Sequence, residues 1–207
     1  MALALRRLSL FVAVMAMAGQ PAWAHHVMDG ELPQTFLQGL LSGFGHPVIG
    51  FDHLAAIVGV GILAALAGRS AAVVLAFSVA VIAGVFIHLA RVDLPASELL
   101  VGLSTLLIGA LVILRPSMRA GVAVLLFAAA GLFHGYALGE SIIGAETSPL
   151  AAYLIGLLVI QTMIGVTVYA AVLALARWPA RTTGLTVAGL LVVVAGGIAT
   201  ASAAGFA

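Results

Sequence analysis

The side chains able to do chemistry are few and unevenly placed. Only 7% of the residues are charged, yet His46-Pro47-Val48-Ile49-Gly50-Phe51-Asp52-His53 puts two of the six histidines and one of the seven acids into an apolar run. An ionisable group inside a membrane segment is costly and marks a pathway or a binding site. Imidazole is a borderline ligand suited to nickel, cobalt, zinc and copper, and carboxylates complete such a site or orient its histidines. The chain has no cysteine, so thiolate ligands, disulfides and redox pairs are excluded. The chemistry implied is the handling of a divalent metal ion.

Spacing sets a condition on that site. On an unbroken helix His46 and His53 share a face but stand ~10 Å apart along the axis, too far to share one ion at bonds of ~2 Å. Pro47 and Gly50 lie between them, and proline disturbs the helical hydrogen-bond ladder. Either the segment bends and the two histidines converge, or they form successive stations on a path. Asp52 points about 100° away from His53 around a helix, and either binds the ion or supports a histidine from another span. His134-Gly135-Tyr136-Ala137-Leu138-Gly139-Glu140 is the next cluster. Gly135 and Gly139 form a small-xxx-small face for close helix packing. His88 reads as a helix–helix hydrogen-bonding residue, and Glu146 as a solvated loop acid.

The elements that position these residues follow from composition. With 64% hydrophobic residues and a mean hydropathy of +1.28, the chain lies far outside the soluble range. It reads as all-α, a polytopic membrane helical bundle in the lipid bilayer. The net charge of +1 offers no nucleic-acid footprint, and homo-oligomerisation stays open. Residues 1–24 read as a cleaved signal peptide: Arg6 and Arg7, an apolar core from Leu8 to Ala18, then Ala22-Trp23-Ala24. Residues 25–207 then form one transmembrane domain that begins at His25-His26. A semi-apolar stretch at 33–45 suggests an interfacial or re-entrant helix. Six spans follow, at about 47–67, 71–90, 97–114, 120–139, 150–176 and 183–204, each near the ~20 residues a bilayer requires.

Arginine placement gives the orientation. With the mature N-terminus outside, Arg69, Arg115, Arg119, Arg177 and Arg181 fall in cytoplasmic loops and only Arg91 in an external one. This positive-inside bias makes the protein N-out and C-out, in a bacterial inner membrane. All six histidines then lie in the outer half, as do Asp29, Glu31, Asp93, Glu98, Glu140 and Glu146, with Asp52 slightly deeper. The residues expected to handle metal are His46, Asp52, His53, His134, His26, Glu140 and His25, gathered in one outward-facing vestibule.

The signal peptide, the six spans and HPVIGFDHLAAI together resemble the HupE/UreJ family of nickel or cobalt permeases, over essentially the whole mature chain. The second family motif is matched at Phe133-His134-Gly135, Gly139 and Glu140. Leu138 stands where many members carry a second histidine, and Ser141 where the common form has its acid. The start HHVMDG is similar to the MHIMEG start of the membrane component of energy-coupling-factor nickel/cobalt importers. That similarity implies square-planar capture by the terminal amine and His26, a geometry suited to Ni(II).

The reading is a secondary importer of Ni²⁺ or Co²⁺, with Zn²⁺ chemically admissible, not an enzyme and without a resident cofactor. No P-loop is present, so ATP could act only through a partner. The alternatives are an intramembrane metal-dependent hydrolase and a structural membrane subunit.

Overall fold

The computed structural model describes residues 31–68 and 70–206. The expected signal peptide, His25, His26 and Arg69 lie outside the described residues. Seven α-helices are described: α1 (Phe36–Ile49), α2 (Phe51–Leu66), α3 (Ala72–Leu89), α4 (Ser97–Leu114), α5 (Ala120–Glu140), α6 (Thr147–Ala174) and α7 (Arg181–Ala203). A 3-10 turn at Leu175–Arg177 follows α6, and no strand occurs among the described residues.

Helices α3 to α7 are each long and apolar enough to cross a membrane. The first span departs from a single helix over 47–67. The chain there forms two helices, α1 and α2, whose axes differ by 79°, the geometry of a broken span or a re-entrant loop. At ~1.5 Å per residue neither half alone matches a ~30 Å hydrocarbon core. Pro47 lies in the last turn of α1, and Gly50 leaves helical geometry at φ −71, ψ 103, ending α1 and opening α2. A β-carbon at Gly50 would stand 2.7 Å from Cδ2 of His53 and 3.4 Å from the carbonyl of His46. The break therefore needs glycine for space, and it brings both histidine residues to its edge.

α2 is the axle of the bundle. It packs against all six other helices, and every residue from Gly59 to Ala65 is buried, so that half of the helix is covered on all sides. A helix apolar all round belongs in such a place. Around it α3 pairs with α5, α4 with α7 and α1 with α6. Close approach comes from small residues, as expected where lipid supplies no hydrophobic drive between helices. A β-carbon at Gly135 would strike the Val81 carbonyl, and one at Gly39 the Pro149 carbonyl.

The exterior is apolar, with Leu114 at 73% and Leu125 at 71% exposure. The buried polar residues are Ser42, His46, His53, Ser78, Thr105, His134 and Gln161. An apolar surface over an apolar core that holds a few polar side chains is the distribution of a protein dissolved in lipid. At one end of the bundle Arg115, a left-handed C-cap at φ 51, donates to the Thr182 carbonyl at 2.9 Å and to Thr186 Oγ1 at 2.6 Å. The arginine-bearing turns 115–119 and 177–181 therefore meet on one side.

Candidate functional site

The site starts at the break in the first span. Asp52 stands in the first turn of α2, where a carboxylate complements the helix dipole. Its Oδ1 accepts the His53 backbone N–H at 2.8 Å. That turn aims His53 across the bundle at α5, where His53 Nδ1 lies 2.6 Å from His134 Nδ1. Both imidazoles are buried, His134 at 1% exposure, with their ring centres 4.8 Å apart and edge-on. Phe77 of α3 closes against His134 at 5.8 Å.

α4 supplies the far side. Ser104 Oγ and Thr105 Oγ1 each lie 3.3 Å from His134 Nε2. Both hydroxyls donate their own protons to the Val101 carbonyl, at 2.9 and 3.0 Å. Thr105 also reaches the Asp52 carbonyl at 3.4 Å. A hydroxyl carries one proton, so toward His134 these oxygens accept. His134 is then protonated at Nε2, its Nδ1 accepts from His53 Nδ1–H, and the lone pair of His53 is left on Nε2. The network assigns the tautomers in series, and an unprotonated imidazole nitrogen is the form that ligates metal.

His46 stands in the last turn of α1, just before the break. The N-terminus of α1 is fixed by a capping box between Thr35 and Gln38, and the helix lies against α6 through Gly39, Gly43 and Gly156. This places Ser42 Oγ 3.3 Å from His46 Nδ1 and the His46 ring edge-on to Tyr153 at 5.8 Å. Tyr153 donates to the Leu138 carbonyl at 2.8 Å, and Ser141 donates to the same oxygen at 2.9 Å. The two departures from the second family motif thus have structural accounts. Leu138 fills the core, and Ser141 ties the end of α5 to α6.

Of the residues expected at the site, the structure pairs His53 with His134 and holds Asp52 at their edge. His46 stands on α1, joined to Ser42 and Tyr153. Glu140 ends α5 and is exposed, and His25 and His26 lie outside the described residues. His88 stacks on Tyr136 at 4.3 Å with its Cβ against Gly139, a contact between α3 and α5. Among the described residues, no three of the His, Asp and Glu side chains are grouped to hold a metal ion. Ser104, Thr105, Ser42 and Tyr153 escaped the sequence reading, which followed histidines and acids. Their signal was there: Ser104-Thr105 interrupts an otherwise apolar run from Leu99 to Leu114.

Fold and site together define a multi-pass helical membrane protein with a buried imidazole pair beside a sharp bend between two helices. The family sequence profile described as HupE / UreJ protein matches residues 12–199. The chain belongs to the HupE / UreJ family. It is similar to Protein HupE of Rhizobium leguminosarum bv. viciae, 31% identical over 103 residues, covering 49% of this chain. The aligned stretch spans 54% of that relative's length. No solved structure matches the chain.

Proposed function

We propose that the protein is a secondary permease that imports a divalent metal ion, nickel or cobalt, across a bacterial inner membrane. The observation that carries this reading is the pair of buried imidazoles, His53 and His134, at a break in the first span. Discontinuous helices meeting near the middle of a bundle are where transporters build their ion sites. The tautomer chain from Ser104 and Thr105 through His134 leaves Nε2 of His53 as the first ligand to the ion. Asp52 contributes negative charge beside it, and His46 is a neighbouring station on the same path.

Further out, Glu140 and the expected mature N-terminus with His25 and His26 collect the ion before it enters. The orientation is N-out and C-out, with the arginine turns in the cytoplasm. Entry is driven by the membrane potential, because two charges gain ~4.6 kcal/mol per 100 mV. Beyond the imidazoles the inward path has few acids and no histidines, which suits release, since conduction needs sites weak enough to leave.

The test is uptake of radioactive nickel and cobalt into liposomes carrying the purified protein. Saturable uptake that responds to an imposed potential is the expected result. Absence of uptake of either ion would refute the reading.

A further inference from the structure

Two buried polar side chains in the centre of the bundle have no part in the networks described above. Gln161 of α6 is 2% exposed and Ser78 of α3 is fully buried. Neither amide atom of Gln161 has a hydrogen-bond partner among the described residues, and neither has the Ser78 hydroxyl. The contrast with other helical hydroxyls in this bundle is direct. Ser104, Thr105, Thr186 and Thr200 all donate to a carbonyl of the preceding turn, the usual way to satisfy a hydroxyl within a helix. Ser78 does not.

Helix packing sets these groups at the depth of His53. A β-carbon at Gly165 of α6 would stand 2.5 Å from Val74 Cγ1 and 3.8 Å from Ile57 Cγ2, so α6, α3 and α2 meet there. Gly61, one turn past Ile57, approaches Gly165 and Val168, so α2 advances along α6 in the same sense. α3 runs the opposite way to α2. One helical turn from the meeting point, His53 precedes Ile57, Ser78 follows Val74 and Gln161 precedes Gly165. All three therefore lie on the same side of it, at one level. Phe77, adjacent to Ser78, packs on His134.

A buried amide or hydroxyl demands a partner, and at this level the partner in reach of a transporter is its cargo. We propose that Gln161, with Ser78 beside it, supplies neutral oxygen donors to the divalent metal ion bound at Nε2 of His53, the imidazole that His134 orients. The proposal rests on the transport reading above and extends it from an imidazole pair to a mixed imidazole, amide and hydroxyl site. The logic is one of charge. Neutral oxygens fill coordination positions without adding anions, so the ion is held weakly enough to leave.

The experiment uses the full-length protein in liposomes with radioactive Co²⁺, together with X-ray absorption of the Co²⁺-loaded protein in detergent. The variants are Gln161→Met, Ser78→Ala and His53→Ala. Gln161→Met is expected to raise the half-saturation concentration for uptake roughly tenfold and to remove one oxygen scatterer from the first shell. Its melting temperature is expected to equal or exceed the wild-type value, since an unpaired buried amide is replaced by an apolar chain of similar size. Ser78→Ala shifts uptake in the same direction by less. Wild-type half-saturation and coordination in Gln161→Met, with uptake lost in His53→Ala, would overturn the proposal and leave the transport reading standing. Lost uptake together with a lowered melting temperature in Gln161→Met would mark a structural residue and overturn it too. A wild-type protein that neither binds nor moves Co²⁺ or Ni²⁺ would sink both.

Discussion

At the scale of single residues, the site depends on the order in which protons are handed along. Two carbonyl-bound hydroxyls on α4 fix the tautomer of His134, and His134 fixes that of His53. Nitrogen-15 spectra of histidine-labelled protein should show His134 protonated at Nε2 and His53 at Nδ1; the reverse pattern in either ring would break the chain. In the Ser104→Ala, Thr105→Val double variant, the His134 Nε2–H loses its acceptors. A stability loss of about 1–3 kcal/mol is expected for a buried donor left unpaired, read as a lower denaturation midpoint. Unchanged stability would mean that the hydroxyls do not carry the bond. The histidines themselves were legible from sequence, because a charge-poor apolar chain makes each imidazole conspicuous. Ser104, Thr105 and Gln161 were not, because a hydroxyl or amide in an apolar run is common helix–helix glue. Only the packing of α4 on α5, and of α6 on α2, shows which of them meet a histidine level.

At the scale of elements, the break at Gly50 is what the arrangement turns on. The spacing argument left a bend between His46 and His53 or two successive stations on a path, and the chain does bend there, by 79°. Its place was not legible. Pro47 was the stronger breaker by composition, but proline is accommodated in the last turn of α1 and the chain turns at Gly50. Gly50→Leu should therefore reach the membrane and fail in uptake, since its side chain would occupy the space of the His53 ring. Normal uptake in that variant would show that the break is incidental. The boundaries of α3, α4, α5 and α7 fell within two residues of the expected spans. Long apolar runs between arginine- and proline-bearing turns leave little choice of register. A further consequence concerns the tie between α5 and α6. Tyr153→Phe removes one of two hydroxyls on the Leu138 carbonyl, and a loss of about 1 kcal/mol is expected in unfolding measurements. Ser141 keeps that carbonyl satisfied, so a much larger loss would assign Tyr153 a role beyond this bond.

At the scale of the whole molecule, the surface is as apolar as the core: leucines and valines cover the outside, and a few imidazoles, hydroxyls and an amide are set into an apolar interior. Composition made the membrane class legible at once, and the order of spans followed. What the linear chain could not give was which side chains each histidine meets. His53 meets His134 between α2 and α5, and His46 meets Tyr153 between α1 and α6. Orientation is open to a clean test, because the chain has no native cysteine. In intact cells, Glu146→Cys should react with a membrane-impermeant thiol reagent and Ser117→Cys should not. The opposite pattern would invert the topology.

The most direct measurement of the central claim is uptake of radioactive nickel and cobalt into liposomes bearing wild-type protein, compared with His53→Ala and His134→Ala. Saturable uptake in the wild type that disappears in both variants, with normal reconstitution, is the result expected. Uptake that persists in both would show that the imidazole pair is not the site.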